Sequence, residues 1–248
     1  MEEDNINKAL EIHLQRANNP EAQARKKADQ VIQALKLFSR GIYNRDNMME
    51  RRFRNAILSD QPIQIIGFWG VGEKRLPDIL DDLLLDEYRI VKKLLGMITL
   101  KEAEVILILA DIHGIFNGYE NTGYHTMIEQ KAKEEGFMPI YLSKLYEEWG
   151  IGLPNLGRHI DDSLWLEFMK LKQSSQLIES ARRHNRANIE PEKAAFWYWL
   201  MRRQEAEPLT RSFPNDVLFI NGSRDLGMAT LPLDMPHVYS RLGPVWFL

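Results

Sequence analysis

Three polar residues follow an apolar run and could carry acid–base chemistry. The run EVILILAD, residues 104–111, ends in Asp111, and His113 and Asn117 come shortly after it. A carboxylate in this position can accept hydrogen bonds from a ribose or an amino group, and an imidazole titrates near neutral pH, as a general base requires. We therefore predict that His113 is catalytic and that Asp111, Asn117 and Tyr119 bind substrate. In the structural alternative, Asp111 caps the following turn and His113 is a buried, hydrogen-bonded histidine.

A second set of candidates lies on a predicted helix after Pro191. Tyr198, Arg202 and Glu205 follow one another at i, i+4 and i+7, a spacing that puts them on one helix face. A tyrosine and a carboxylate on one face could position and deprotonate an amine. We predict Tyr198 and Glu205 as catalytic and Arg202 as substrate-binding. The alternative is an Arg–Glu ion pair that only stabilises the helix.

A glycine-rich turn after the first apolar strand is the third candidate. The strand IQIIGFWG, residues 63–70, runs into this turn, whose glycines let the backbone approach a ligand and expose N–H groups. We predict ligand contacts by Gly67, Trp69 and Gly70, and a catalytic, anion-neutralising role for Lys74. The spacing matches neither the phosphate-binding GxxxxGK[ST] loop nor the dinucleotide-binding GxGxxG motif. The alternative is a tight turn followed by a solvated lysine.

The elements that position these residues alternate between strands and helices. Apolar strands at 63–70 and 104–111 are joined by a helical segment, and a further helix leads to a third strand at 139–143. This order predicts an α/β fold: a Rossmann-like, mostly parallel sheet of about five strands, with helices on both faces and a helical N-terminal lead-in. In such sheets the ligand crevice lies outside the carboxyl ends of the strands.

The whole chain, 1–248, is predicted to form a single Rossmann-like domain. Its parts are a helical basic lead-in, a βαβαβ core, a helical insertion and C-terminal strands, at 1–60, 61–150, 151–210 and 211–248. The helices are predicted at 6–39 with a break near Pro20, and at 80–97, 123–136, 161–186 and 191–207. The later strands are predicted at 216–221 and 237–240.

The composition is that of an ordinary globular protein. Of the 248 residues, 44% are hydrophobic and 27% are charged, and the formal net charge is −3. Cysteine is absent, which excludes disulfides and thiolate metal sites and suits a reducing compartment, so we expect a cytoplasmic protein. No apolar run reaches the roughly 20 residues of a membrane-spanning helix, and MEEDNINKAL at the start is unlike a secretory signal. Because there is no HExxH motif and the six histidines are scattered, we expect no metal and no cofactor.

Basic residues cluster in two places despite the negative net charge. Between Arg25 and Arg54 nine basic residues outnumber three acidic ones, and Arg182 and Arg183 belong to a second group. Such clusters can contact a phosphate backbone. The alternative is a solvated helix surface with ion pairs inside each helix.

The segment from IGFWGVGEK to MPIYLSKL resembles the Rossmann half of class I aminoacyl-tRNA synthetases, in particular the tyrosyl/tryptophanyl branch. The likeness covers roughly a third of the chain. It rests on the strand that ends in a glycine turn and on ADIHG (110–114) with Asn117, which is similar to the family's ADLHA-x-x-N. Where the family has HIGH, this chain has RLPD (75–78), and no KMSKS-like loop is present. Since those signatures hold the ATP phosphates, the resemblance does not imply activation of an amino acid by ATP.

The same loss of HIGH and KMSKS marks the cyclodipeptide synthases, which this chain resembles in size and in its basic helices. The resemblance implies a tRNA-dependent aminoacyl transferase that forms amide bonds from aminoacyl-tRNA without ATP. Tyr198 and Glu205 would then handle the amine, although the family's Tyr-xxx-Glu spacing and the serine nucleophile of its first glycine loop are not kept. The residues predicted to bind tRNA are Arg25, Lys26, Lys27, Arg51, Arg52, Arg54, Arg182 and Arg183.

A second resemblance implies a different co-substrate. KRLPD (74–78), followed by an apolar helix and a strand that ends in aspartate, is similar to the isonitrile synthases of pyoverdine and dityrosine biosynthesis. That family condenses an amino-acid amine with a sugar phosphate, so Lys74 would be the central residue and no nucleic acid would be needed. A third alternative is a non-catalytic nucleotide- or RNA-binding module derived from a synthetase. The expected partners are therefore aminoacyl-tRNA or a small amino-acid substrate, and no membrane.

Overall fold

One mixed sheet organises the described part of the chain. The computed structural model describes residues 19–70, 76–119, 123–153, 160–185, 188–220 and 235–241. Its strands are β1 (Ser39–Tyr43), β2 (Gln64–Trp69), β3 (Glu104–Leu109), β4 (Met138–Tyr141), β5 (Val217–Ile220) and β6 (His237–Ser240). They lie in the order β1-β6-β5-β2-β3-β4. β2 to β6 run parallel to one another, and β1 is antiparallel to β6.

The strand order defines where a ligand crevice belongs. From β2 the chain moves outward to β3 and β4 on one side, and later places β5 and β6 on the other side. The order reverses between β2 and β5, which are paired from Ile65 with Val217 to Gly67 with Phe219. Ligands of such sheets bind outside the carboxyl ends of the strands at this reversal. The predicted Rossmann-like α/β fold is confirmed.

Helices cover both faces of the sheet. They are α1 (Pro20–Leu37), α2 (Met48–Leu58), α3 (Ile79–Thr99), α4 (Asp111–Phe116), α5 (Tyr124–Glu134), α6 (Leu142–Trp149), α7 (Asp162–Met169), α8 (Ser174–His184) and α9 (Pro191–Ser212), with a short 3-10 turn at Arg45–Asn47. Side chains of α1, α2, α3 and α5 form one core with the sheet, and those of α4 and α6 to α9 form the other. Within the described residues every helix is too short or too polar to cross a lipid bilayer.

The central strands are buried because their side chains are almost all apolar. Each residue of the run 105–110 is at most 6% exposed, as a strand between two helical layers requires. In β2, Gly67 lies where Tyr88 of α3 crosses the strand, and a Cβ on Gly67 would lie 2.1 Å from the Tyr88 hydroxyl. Gly67 is therefore needed for the close packing of α3 on β2.

The crossover helix α3 begins at a cap that its sequence encodes. The Asp78 carboxylate accepts hydrogen bonds from the backbone N–H groups of Leu80 and Asp81. The Asp81 carboxylate accepts one from the Asp78 N–H at 2.8 Å, which completes a capping box. A cap of this kind contributes about 1 kcal/mol to helix stability. It sets the first turn of α3 just after the loop that leaves β2.

The prediction of one helix over 161–186 is wrong, since the structure has α7 and α8 with a turn at 170–173 between them. Phe168 and Leu177 belong to the same buried core. Nine residues along a straight helix amount to about two and a half turns, which would put these side chains on opposite sides. The break lets both side chains face the sheet.

Other elements also depart from the predicted bounds. β1 starts at the end of the predicted 6–39 helix, and α6 begins inside the predicted strand at 139–143. α9 continues to Ser212, past Pro208, beyond the predicted end at 207. The part of the 6–39 helix before residue 19 lies outside the described residues, and the domain division stays a prediction.

Candidate functional site

A buried charged cluster lies beside the carboxyl end of β3. Glu205 of α9 is fully buried. Its Oε1 accepts hydrogen bonds from His113 Nε2 at 2.7 Å and from the Tyr146 hydroxyl at 2.5 Å. Arg202 Nη1 donates to the other oxygen, Oε2. Three helices, α4, α6 and α9, therefore converge on a single carboxylate.

The partners of Glu205 decide its charge. Burial raises the pKa of Glu205, but the charges of Arg202 and His113, together with hydrogen bonds from His113 and Tyr146, outweigh burial and hold the pKa below its usual value. Burial is the largest cause that raises the pKa of Tyr146, and the charge of Glu205 and the hydrogen bond to it raise this pKa further. The cluster thus holds a carboxylate against a guanidinium, while Tyr146 stays a protonated donor.

The contact with Glu205 also fixes the tautomer of His113. Arg202 Nη1 lies 3.3 Å from His113 Nε2, the same nitrogen that contacts Glu205. Nε2 cannot accept from the guanidinium and donate to the carboxylate at the same time. The shorter contact, 2.7 Å to Glu205, assigns the proton to Nε2. When the ring is neutral, its lone pair is on Nδ1, which makes no hydrogen bond to another described residue.

Aromatic side chains line this cluster. The half-buried Tyr198 meets His113 edge-on, with ring centroids 5.6 Å apart, and lies 6.0 Å from Phe116. The Arg202 guanidinium lies over the Phe68 ring of β2, 4.8 Å from its centroid. Burial is the largest cause that raises the pKa of the Tyr198 hydroxyl, which is therefore protonated at neutral pH. The cluster presents a phenol donor and an imidazole side by side.

Sequence reasoning found four members of the cluster and missed the fifth. The structure brings His113 together with Tyr198, Arg202 and Glu205, which share a face of α9 as their spacing predicts. Tyr146 was missed because its segment, LSKLYEEW, carries no signal beyond that of an amphipathic helix. The catalytic and binding roles of these residues stay predictions.

The other residues predicted after β3 make structural contacts. Asp111 Oδ1 accepts a hydrogen bond at 3.0 Å from the backbone N–H of the second residue of α6. Asn117 Oδ1 accepts one from the Asn185 side chain at 3.4 Å, and the Tyr119 hydroxyl donates to the carbonyl of the last residue of α8. Burial raises the pKa of Tyr119. These bonds tie α4 to α6 and α8, and substrate contacts by the three residues stay predictions.

Gly67 and Trp69, both predicted to contact a ligand, lie within β2 and at its last position, and their ligand contacts stay predictions. The space a side chain would need at Gly67 is filled by Tyr88. Trp69 is 2% exposed, and its Nε1 donates to the Tyr124 hydroxyl at 3.0 Å. Tyr124 in turn donates to Asp81 at 2.7 Å. Both residues therefore serve the packing between the sheet and the helices.

The rest of the predicted glycine turn is only partly described. Gly70 is exposed, and a Cβ added to it would meet no atom within 4 Å. Lys74, to which the sequence assigns a catalytic role, lies outside the described residues. The ligand contact of Gly70 and the role of Lys74 stay predictions.

Most of the residues predicted to bind tRNA lie near the amino ends of the parallel strands, whereas the cluster lies at the carboxyl ends. Arg52 Nη1 donates to the carbonyl of Asp216, the residue before β5, and so lies at the amino ends of the parallel strands. Arg54, on the same helix, pairs with Glu21 of α1 at 3.6 Å. Nearby on α1 and α2, Arg25, Lys26 and Arg51 are exposed and Lys27 is half-buried. This group therefore lies at the opposite end of the strands from His113.

The second basic group lies nearer to the cluster. Arg182 and Arg183 are in the last turn of α8, whose end is hydrogen-bonded to Asn117 and Tyr119. Both arginines form ion pairs with Glu179 on their own helix, and that of Arg183 measures 3.1 Å. The predicted tRNA-binding residues are thus divided between the amino ends and the carboxyl ends of the strands. Binding of tRNA stays a prediction.

No metal centre is assembled in the part of the chain that the structure describes. No group there of three or more histidine, cysteine, aspartate or glutamate side chains could hold a metal ion. Both carboxylate oxygens of Glu205 are already engaged by donors. The expectation that the protein uses no cofactor stays a prediction.

Comparisons with known proteins bear on the fold. No protein-family model matches the sequence, and no curated protein matches it. The structure is similar to the PvcA protein of Pseudomonas aeruginosa, with a TM-score of 0.61, 11% identity and coverage of 89% of this chain and 85% of PvcA.

It is less similar to tyrosyl-tRNA synthetases. The enzyme of Archaeoglobus fulgidus, solved with L-tyrosine, gives a TM-score of 0.47 with 14% identity over 85% of this chain and 64% of that one. The enzyme of Leishmania major, solved with tyrosinol, gives 0.46 with 11% identity over 86% and 31%. At these identities the likeness concerns the fold alone, and this chain shares its α/β architecture with PvcA.

Proposed function

We propose that this chain is an enzyme that acts on the amino group of an amino-acid substrate, with His113 as the general base. The observation that carries the proposal is the 2.7 Å contact between His113 Nε2 and the fully buried Glu205. A buried carboxylate that holds an imidazole in one tautomer prepares its other nitrogen to accept a proton. The substrate class comes from the two family resemblances of the sequence.

Glu205 is a positioning residue in this proposal, not the base itself. Its carboxylate is fully buried and both oxygens accept hydrogen bonds, so a substrate amine has no access to them. Held as a carboxylate, Glu205 orients the His113 ring and stabilises the imidazolium that forms when Nδ1 takes a proton. This reverses the sequence interpretation, in which Glu205 deprotonates the amine directly.

The proposed step moves one proton and one acyl group. A substrate ammonium loses one proton to solvent, and the resulting amine attacks the carbonyl carbon of an aminoacyl ester while His113 Nδ1 takes a second proton from its nitrogen. The C–N bond forms as the C–O bond of the ester breaks, and the leaving oxygen takes the proton back from His113. Tyr198, whose hydroxyl is protonated and whose ring lies against His113, supplies a hydrogen bond to the substrate.

Aminoacyl-tRNA is the first co-substrate that we propose. Arg182 and Arg183 lie on the end of α8 that contacts Asn117 and Tyr119, so a bound tRNA end could reach the cluster from there. Contacts with several phosphates would make binding fall steeply with salt. In a filter-binding titration with total tRNA, we expect retention at low salt and its loss in the double variant Arg182→Glu/Arg183→Glu. No retention at low salt would contradict this form of the proposal.

A second form, without tRNA, is favoured by the position of the larger basic group. Arg52 and Arg54 lie at the amino ends of the strands, away from the cluster, and Arg52 already bonds a backbone carbonyl. A small co-substrate needs no such surface. Condensation of the amine with a sugar phosphate, as in isonitrile synthases, is the reaction of this kind. Mass spectrometry of products from an amino acid and a pentose phosphate, with Lys74→Ala as the comparison, tests it.

The central claim is tested by replacing His113 with glutamine. In His113→Gln the side-chain amide can still donate to Glu205 but offers no basic nitrogen. Cells that overproduce the wild-type chain should accumulate a product detectable by mass spectrometry, and His113→Gln should lower its rate of formation about 10²- to 10⁴-fold. Glu129→Gln, on the opposite face of the sheet, serves as the control and should keep full activity. Full activity in His113→Gln would refute the base, and no product from any chain would favour the non-catalytic module.

A further inference from the structure

An exposed apolar stripe runs along α3. Ile79, Leu83, Ile90 and Met97 are 70%, 43%, 49% and 68% exposed. The last three follow one another at intervals of seven residues, so they lie in one row along the helix. The opposite side of α3 carries the fully packed Tyr88 and its neighbours in the core. A surface helix ordinarily has one apolar side and one polar side, whereas α3 is apolar on both.

The charges of α3 are divided between its two halves. The acidic residues Asp81, Asp82, Asp86 and Glu87 all come before Tyr88, and the basic residues Arg89, Lys92 and Lys93 all come after it. Asp86, which is half-buried and pairs with Arg89 of its own helix at 2.6 Å, lies one turn before Ile90 beside the stripe, and the exposed Lys93 lies about one turn after it. The helix therefore offers an apolar row that is flanked by negative charge at one end and positive charge at the other.

We propose that α3 is the interface of a homodimer in which two copies of the helix pack antiparallel about Ile90. In this arrangement Ile90 meets Ile90 of the second copy, and Leu83 meets Met97. Asp86 then faces Lys93 of the second copy, so the acidic half of each helix lies on the basic half of the other. A parallel pairing would place like charges opposite each other, which is unfavourable. The 21 residues of α3 span roughly 31 Å, long enough for several layers of contact.

The first test is the mass of the full chain in solution, measured by size-exclusion chromatography with light scattering. The wild type should have a mass of about 58 kDa, twice its chain mass of 29.0 kDa. Ile90→Glu puts two charges on the axis and should shift the mass to that of one chain. Leu166→Glu changes a side chain that is 55% exposed on α7 and should stay dimeric. Circular dichroism verifies that both variants are folded.

The second test distinguishes a second copy from another partner and gives the direction of the helices. Asp86→Lys and Lys93→Glu should each shift the mass towards one chain, and the two together should restore the dimer. Because the chain has no cysteine, Ile90→Cys should cross-link to itself on oxidation while Met97→Cys should not. A wild type that stays at the mass of one chain at every concentration overturns the proposal. So does a dimer that Ile90→Glu leaves intact.

Discussion

Glu205 and Glu129 are two glutamates with the same kinds of partners in different surroundings. Each accepts a hydrogen bond from a tyrosine, Tyr146 at 2.5 Å and Tyr141 at 2.8 Å. Each also binds a basic side chain of its own helix. Glu205 is fully buried, whereas the Glu129 side chain is 25% exposed. Their partners lower the pKa of both carboxyls, against burial in the case of Glu205.

For the tyrosine and the basic partner that each glutamate has, the two regions differ mainly in how far water reaches the carboxylate. Charged contacts strengthen where the effective dielectric constant is low, and exposed ion pairs contribute about 1 kcal/mol or less. Only the buried glutamate also contacts a histidine, His113. On α5 these contacts only fix a glutamate side chain at the surface. Beside β3 the same kind of contacts hold Glu205 so that it orients the His113 imidazole.

The largest expected effect comes from removing the charge of Glu205. Glu205→Gln leaves the buried Arg202 guanidinium without its counter-charge, which should lower the free energy of unfolding by about 3–5 kcal/mol. Glu129→Gln removes a partly exposed pair and should cost less than about 1 kcal/mol. Urea unfolding at neutral pH measures both. Equal, small losses in the two variants would erase the distinction between the regions.

The pH dependence of the Glu205 contribution has a definite sign. Because the folded pKa of Glu205 is lowered, its stabilising contribution is present above the unfolded pKa of about 4.3 and is lost as pH falls through the folded value. Wild-type stability should therefore fall on acidification more steeply than that of Glu205→Gln. The comparison of the two unfolding curves between neutral and acidic pH measures this difference.

Asp216 sharpens the comparison because it is buried without such partners. It is 3% exposed, and its Oδ1 has no hydrogen-bond partner. Burial, opposed by Arg52 and helped by Glu104, raises the pKa of Asp216 from 3.8 to about 6. The folded state then binds the proton more tightly, so stability present below pH 3.8 is lost as pH rises through about 6.

Asp216→Asn should remove this loss. Above pH 6 the variant should be more stable than the wild type by on the order of 2–3 kcal/mol, and the gap should close towards the ordinary pKa. Unfolding midpoints measured across this pH range decide the matter. Wild-type and variant curves that run parallel across the range would show that Asp216 is not perturbed by burial.

The fold was predictable where local patterns and long-range packing agree. The apolar run of β3, the capped start of α3 and the seven-residue rows of its side chains lie within single segments. β1 was not predictable, because its five residues, SRGIY, include few apolar ones and their partner strand lies near the other end of the chain, with Ser39 opposite Ser240. The break between α7 and α8 likewise depends on where the sheet lies.

The site was predictable only within one helix and one motif. The spacing of Tyr198, Arg202 and Glu205 places them on one face, and His113 follows a recognisable strand end. That His113 meets Glu205, 92 residues away, and that Tyr146 joins them, depends on how α4, α6 and α9 cross. No local pattern records such a crossing, so the enclosure of both Glu205 oxygens by donors could not be predicted from the sequence, and the catalytic role of Glu205 stays a prediction.

The smallest expected effect concerns the tyrosines. Tyr146→Phe removes one donor from the buried Glu205 carboxylate, whose Oε1 keeps its contact with His113, and should lower the free energy of unfolding by about 1.5 kcal/mol. Tyr141→Phe removes the corresponding donor from Glu129, which water can replace, and should change it by less than about 0.5 kcal/mol. Urea unfolding of the two variants isolates the effect of burial, since the atoms removed are the same. If the Tyr141 variant lost as much as the Tyr146 variant, water would not be what separates the two glutamates, and the enclosure of the His113–Glu205 pair would have no energetic basis.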